Sequence, residues 1–176
     1  MTLVALEKWE PRSDGFDAAQ VCRNSHVITT TAGVAYEQGR LRPRCSTCGE
    51  ETFVTCPNCH EAIKGAWPPD SSGLIEVPGF RGLANYCPNC GEPYPWTAAK
   101  IAAAKELVTE LDGLSGDERA LLSRDLADLI RDTPRTDVAT VRFKKLWLKA
   151  KGPAKAALEH AAKEIFTAAV KGALGL

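Results

Sequence analysis

Seven cysteines carry most of the chemistry that this 176-residue chain offers. Cys22 and His26 lie just upstream of three Cys-x-x-Cys pairs, a spacing typical of tetrahedral zinc ligands. Two four-coordinate sites need eight ligands, and the three pairs provide six thiols. Cys22 and His26 provide the remaining two ligands. The chain is therefore predicted to bind two structural Zn²⁺ ions through protein ligands alone. The three pairs are Cys45/Cys48, Cys56/Cys59 and Cys87/Cys90.

The eighth ligand is a choice between two histidines. His26 follows Cys22 by four residues, and a turn between them can direct both side chains at one ion. His60 directly follows Cys59, and neighbouring residues rarely reach one tetrahedral ion without backbone strain. The spacing therefore favours His26, with His60 as the competing ligand.

The separation between the pairs indicates how they share the two ions. Only seven residues separate Cys48 from Cys56, whereas 27 separate Cys59 from Cys87. The simplest arrangement is sequential, in which the first four ligands along the chain hold one ion and the last four hold the other. Each site would then be a zinc ribbon. The alternative is the interleaved pairing of cross-braced zinc modules.

The cysteines could instead form disulfides in a secreted protein. The opening sequence MTLVALEKWE has an apolar run only from Leu3 to Leu6, which does not fit an export signal. No stretch approaches about 18 apolar residues, so we expect no membrane span. In a reducing cytoplasm, closely spaced cysteine pairs are more often metal ligands than bridges. We therefore predict a cytoplasmic zinc-binding protein.

The sequence pattern predicts an α+β protein in two parts. For residues 1–96 we expect a small double zinc-ribbon module of short antiparallel strands. For residues 97–176 we expect a helical region of about four helices. Within the first part, a loosely structured lead-in is expected at 1–20, strands at 27–31, 52–55 and 74–77, and a loop at 68–73.

Capping signals divide the helical region. Thr97 is expected to cap the first helix, and Ser115 with Glu118 forms a capping box ahead of the second. A third helix is predicted to start near Thr136, and a fourth runs from Pro153 to the chain end. The broad apolar face of the fourth helix is typical of packing in a bundle or of an interaction helix.

The net charge of zero is unevenly distributed. Residues 1–96 carry 8 basic and 11 acidic side chains, and thiolate ligands would make this balance still more negative once zinc is bound. Such a balance is unfavourable for a nucleic-acid surface. Residues 97–176 carry 14 basic and 11 acidic side chains.

The basic residues of the second part concentrate between Asp137 and Glu159, where no acidic residue occurs. Such a run is usually a solvated helix face, and the alternatives are contact with an acidic partner or with a nucleic-acid backbone. We call this set the basic cluster: Arg142, Lys144, Lys145, Lys149, Lys151 and Lys155.

Sites filled by four protein ligands leave no position for water or substrate, which favours structural over catalytic zinc. We therefore predict a non-enzymatic adaptor without a small-molecule substrate, whose C-terminal helices bind a protein partner or a second copy. Nucleic-acid binding through the basic cluster is the second hypothesis. A metalloenzyme is the third, and it requires water in place of His26 with Glu37 or Glu50 as the base.

The order of the motifs adds a resemblance. The chain resembles a family of bacterial zinc-ribbon proteins catalogued as a domain of unknown function, over roughly residues 18–150. This resemblance implies the same eight ligands and a bacterial cytoplasmic setting, and it implies no activity. It is carried by CRNSHVIT, CSTCG, CPNCHEAIKG and NYCPNCGEPYPW, followed by a Lys- and Ala-rich helical tail.

Overall fold

A computed structural model describes residues 15–67 and 79–175. The chain forms two compact units, Met1–Trp96 and Thr97–Leu176. The predicted loop at 68–73, the predicted strand at 74–77 and most of the predicted lead-in lie outside the described residues. The architecture is α+β, as predicted, with a small antiparallel sheet followed by helices.

The first unit contains a three-stranded antiparallel sheet. Its strands are β1 (Gln20–Cys22), β2 (Val27–Thr29) and β3 (Thr52–Phe53), in the spatial order β2-β1-β3. The central strand β1 is fully buried, and its last residue is the predicted ligand Cys22. The sheet therefore places this thiol at the end of a strand that is paired on both sides.

A short helix that the sequence pattern did not predict, α1 (Ala32–Glu37), follows the sheet. Its start is held by the buried Asp17, whose carboxylate accepts hydrogen bonds from the N–H groups of Gly33 at 2.9 Å and Val34 at 3.4 Å. An acidic side chain at a helix N-terminus satisfies unpaired N–H groups and complements the helix dipole. Because this cap comes from a residue far upstream, the residues next to the helix start contained no capping pattern that would predict the helix.

A small aromatic and aliphatic core supports the rest of the first unit. Tyr94 and Trp96 are buried and stack with ring centroids 4.5 Å apart, and the Trp96 indole N–H donates to the carbonyl of Ala84 at 3.1 Å. The same cluster contains Val21, Ile63 and the predicted ligands Cys56 and Cys87. Two metal-ligand candidates are thus part of the core itself.

The second unit is helical. Its helices are α2 (Pro95–Thr109, whose first two residues belong to the first unit), α3 (Gly116–Leu129), α4 (Pro134–Lys149), α5 (Ala154–Ile165) and α6 (Ala168–Leu174). Ser115 and Glu118 form the predicted capping box at the start of α3. Phe143 of α4 is buried between Trp147 and Phe166, with ring centroids 5.3 Å apart in each pair.

Several helix boundaries differ from the prediction, including the start of α4 at Pro134 instead of near Thr136 and that of α5 at Ala154 instead of Pro153. The first helix begins at Pro95, so Thr97 lies in its first turn instead of capping it. The predicted fourth helix is two helices, because the backbone of Phe166 is extended and Thr167 caps α6 by accepting a hydrogen bond from the N–H of Val170. The apolar period of this segment continues through the break, which is why the pattern predicted a single helix. No helix within the described ranges is both long and apolar enough to cross a bilayer.

Candidate metal centres

The three Cys-x-x-Cys turns share one backbone geometry. In each, the N–H of the first cysteine donates to the carbonyl of the glutamate five residues later, at 2.9 Å for Cys45, 2.7 Å for Cys56 and 2.9 Å for Cys87. The N–H of the residue after the second cysteine donates back to the carbonyl of the first. Each turn closes a short antiparallel bridge between flanking residues. This geometry, called a knuckle below, points both sulfurs of a pair to the same side.

The residue after each second cysteine has a positive φ, which favours glycine because a Cβ is strained there. Gly49 and Gly91 occupy this position in the first and third knuckles, with φ of 77° and 74°. His60 occupies it in the second, with φ of 62°. His60 thus has the backbone role of the knuckle glycine, and among the described residues it belongs to neither group of candidate ligands.

The remaining pair, Cys22 and His26, forms a turn between β1 and β2. The N–H of Cys22 donates to the carbonyl of His26 at 3.0 Å, and the N–H of Ser25 donates to the carbonyl of Cys22 at 3.1 Å. Ser25 supplies the positive φ of this turn, at 67°. The hairpin therefore holds both side chains on one side, as the sequence spacing suggested.

The structure gathers the eight candidate ligands into two groups, which follow the sequential arrangement. The first site consists of Cys22, His26, Cys45 and Cys48. The second site consists of Cys56, Cys59, Cys87 and Cys90. Within each site the donor atoms all lie within 4.8 Å of one another. Both arrangements suit the binding of a metal ion.

The distances between donor atoms are a direct test of this fit. In a tetrahedral zinc site, bond lengths of about 2.3 Å to sulfur and 2.0 Å to nitrogen place two sulfurs about 3.8 Å apart and a sulfur and a nitrogen about 3.5 Å apart. In the first site, His26 Nδ1 lies 3.4 Å from Cys22 Sγ and 3.6 Å from Cys45 Sγ. In the second site, the sulfur pairs Cys56/Cys90 and Cys59/Cys87 are 3.9 and 3.6 Å apart.

These separations also distinguish the clusters from disulfides. A disulfide requires sulfur atoms about 2.05 Å apart, whereas the sulfurs of Cys22 and Cys48 in the first site are 3.7 Å apart. All seven cysteines are free thiols. The fit is therefore that of metal ligands.

Burial and backbone N–H groups act in opposite directions on the thiols of the first site. Burial raises the pKa of Cys22 above its usual value. Burial also tends to raise the pKa of Cys45, but hydrogen bonds from the N–H groups of Thr47 and Cys48 outweigh it and lower the pKa to about 6. Cys45 is therefore largely a thiolate at neutral pH, which is the form that binds metal.

The second site shows the same contrast. Burial raises the pKa of Cys56 to about 11. Burial opposes ionisation of Cys87 as well, but the N–H groups of Cys90 and Asn89 hold its pKa below the usual value. Each site thus has one thiol that is readily ionised and one that must give up its proton to a metal ion.

Tyr94 is a neighbour of the second site that the sequence analysis did not single out. Its pKa is raised by burial and then by the negative charge of Cys87, to which its side chain is hydrogen-bonded. The neutral hydroxyl can donate to the thiolate, and such contacts orient a metal ligand and tune its basicity. Its place in the closing YPW motif was the only signal in the sequence.

The two sites differ in exposure. Cys48 in the first site is exposed, whereas the thiols of the second site are buried or half-buried. Cys48 and Cys45 lie outside the main core cluster, which contains Cys56 and Cys87. The first site is consequently the more accessible of the two.

The basic cluster is partly engaged within the second unit. Lys149 pairs with Glu118 at 2.6 Å, and Arg142 lies 3.6 Å from Asp125. Lys155 donates to the carbonyl of Trp147 at 2.8 Å. Lys144, Lys145 and Lys151 are exposed, and none of them forms a salt bridge with the residues that the structure describes. The cluster is therefore not one uniform surface.

Comparison with known proteins gives one match. Searches of curated proteins and of solved structures found no match. The sequence profile of one family, described as "Uncharacterized protein conserved in bacteria (DUF2321)", matches residues 15–174. This range includes all eight candidate ligands and all six helices. The chain therefore belongs to this bacterial family.

Proposed function

We propose that this protein is a non-enzymatic adaptor, in which two structural zinc ions hold the first unit together and the helical unit binds a protein partner. The closed four-ligand geometry of the two sites carries the proposal. Sulfur-rich tetrahedral sites select zinc or iron among the common metals, and a Cys₃His site is typical of structural zinc.

Each ion would be held entirely by side chains of the chain. Cys22, His26, Cys45 and Cys48 would hold the first, and the four knuckle cysteines of the second site would hold the other. When bound, zinc supplies the cross-link that a small apolar core cannot, worth on the order of 10 kcal/mol in small zinc domains. His26 occupies the position that a metalloenzyme would keep for water, which supports a structural role.

The choice of a protein partner rests on the second unit. Lys149, Lys155 and Arg142 have partners inside the unit, which leaves fewer cations for a nucleic-acid backbone. Exposed apolar side chains lie beside them on α4, and a phosphate backbone offers nothing to cover such groups. Free thiols that serve as metal ligands also suit the reducing cytoplasm, where we place the protein.

Metal content of the purified chain tests the proposal. We expect two zinc ions per chain by elemental analysis, loss of one in His26→Ala, and retention of both in the matched control His60→Ala. Iron in place of zinc would change the metal assignment. Retention of both ions in His26→Ala, with binding of an exchangeable water, would contradict closed structural sites and favour a catalytic one.

A further inference from the structure

We propose that the outer face of α4 docks an acidic amphipathic helix of a protein partner. The inference rests on the adaptor role proposed above and names the chemistry of its partner. It is carried by a cleft lined by arginines, an apolar stripe beside the cleft, and the charge of α4.

The cleft lies between α3 and α4 and has a volume of about 350 Å³. It is lined by three arginines together with Pro134 and Val138. Arginine presents a planar fork of donors that matches a carboxylate in two parallel hydrogen bonds. The three are Arg124, Arg135 and Arg142.

Internal carboxylates neutralise only part of this charge. The buried Asp125 has one oxygen 3.4 Å from Arg124 and 3.6 Å from Arg142, and Asp128 lies 3.1 Å from Arg135. Two carboxylates therefore face three guanidinium groups. The arginine side chains remain 41 to 68% exposed, so a ligand can reach them from solvent. The cleft retains a positive charge and free donors for an acidic ligand.

An apolar stripe begins at the cleft. Val138, Val141 and Leu148 are 50, 57 and 77% exposed, and no other large hydrophobic residue of the second unit whose side-chain burial the structure describes is exposed to this degree. At about 100° per residue, the three lie within a sector of about 80° on one side of α4, over about 15 Å of its length. Exposed hydrophobic residues that share one side of a helix form a surface that a partner can bury.

The charge of α4 indicates the kind of partner. The helix carries five basic residues and one acidic residue, Asp137. Lys145 projects within the apolar stripe and Lys144 beside it, both exposed. A second copy of α4 would bring like charges together, and a nucleic acid would leave the stripe uncovered. A helix with carboxylates along one edge and aliphatic side chains along the next complements both features.

Selection from a displayed library of randomised helical 16-residue peptides tests this surface, with the zinc-loaded full chain as bait. We expect enriched peptides to combine Asp or Glu with aliphatic residues at spacings of three and four. Binding of the best peptide should weaken at least about tenfold in Val141→Asp and in Arg135→Glu. The matched controls Ala169→Asp and Lys163→Glu, on exposed positions of α6 and α5, should leave it unchanged. A peptide with lysine in place of glutamate should recover binding to Arg135→Glu.

Several results would overturn the proposal. These are the absence of enrichment, enrichment of basic or neutral peptides, or equal binding by Val141→Asp and wild type. Self-association that Val141→Asp abolishes would identify a second copy as the occupant, and duplex binding that Arg135→Glu abolishes would identify a nucleic acid. Zinc content measured on each variant separates this test from that of the metal sites, because loss of peptide binding at full zinc content concerns α4 alone.

Discussion

At the scale of single residues, hydrogen bonds from backbone N–H groups favour the metal-binding thiolate form of two candidate ligands. Cys45 and Cys87 both have pKa values below the usual one because N–H groups within their own knuckles donate to sulfur. A thiolate stabilised in this way needs no nearby lysine or arginine. The lowering therefore comes from the turn itself, but it does not always prevail, because at Cys56, in an equivalent knuckle, burial outweighs the N–H groups and raises the pKa to about 11.

This predicts a change of slope in the pH dependence of metal binding at the first site. Metal displaces protons from thiols, so zinc affinity falls as the pH falls. Above about pH 6, Cys45 is already a thiolate and releases no proton. Below about pH 6 it must release one, so the plot of log affinity against pH should steepen by one proton for Cys45, in addition to any proton that His26 releases. Zinc affinity measured by competition with a chelator at a series of pH values, in the wild type and in His60→Ala, checks this. A constant slope through this range in both proteins would contradict it.

The residue scale also shows what spacing alone could and could not predict. Cys22 and His26 could be assigned from four-residue spacing and from the need for an eighth ligand. His60 was a competitor because side-chain chemistry cannot reveal that its backbone has φ of 62°, the conformation of the glycine in the other knuckles. The comparison of the three motifs contained this information, because glycine follows the second cysteine in the first and third, at Gly49 and Gly91, and His60 stands in the same position in the second.

At the scale of elements, local capping signals were reliable where the cap is next to its helix. Ser115 and Glu118 were predicted as a capping box, and both of its hydrogen bonds are present at the start of α3. Asp17 caps α1 from 15 residues upstream, so no window of sequence could reveal it. The apolar period of this segment continues through Thr167, so the sequence pattern does not show the break. Only the extended backbone of Phe166 separates α5 from α6.

The capping box predicts a measurable contribution to the stability of the second unit. Ser115→Ala removes the acceptor for the N–H of Glu118 and should lower the free energy of unfolding by about 1 kcal/mol. Ser123→Ala, in the interior of the same helix, is the matched control and should be neutral or slightly stabilising. Urea denaturation followed at the helical circular dichroism band compares the two. Equal stability of the two variants would show that the box does not contribute.

At the scale of the whole molecule, the two units differ in the residues that form their cores. The main core cluster of the first unit contains Cys56 and Cys87 beside Val21, Ile63 and the aromatic pair near Trp96. The second unit buries a larger aliphatic and aromatic set, with Leu111, Leu126 and Phe143 essentially inaccessible to solvent. Composition predicted this contrast, because cysteine knuckles dominate one half of the chain and apolar helical periods the other.

Removal of zinc should therefore unfold one unit and spare the other. Without the ion, the first unit loses the cross-link that joins its knuckles, whereas the core around Phe143 contains no candidate ligand. A strong chelator should collapse the dispersed amide NMR signals of residues 15–67 while the signals of α3 to α6 persist, and added zinc should restore them. Phe143→Ala should instead collapse the signals of α3 to α6 and leave those of residues 15–67 dispersed, because truncating a buried phenylalanine lowers the free energy of unfolding by about 3 to 5 kcal/mol. Loss of both sets of signals on chelation would mean that the helices depend on the metal sites, and persistence of both would mean that the knuckles fold without metal.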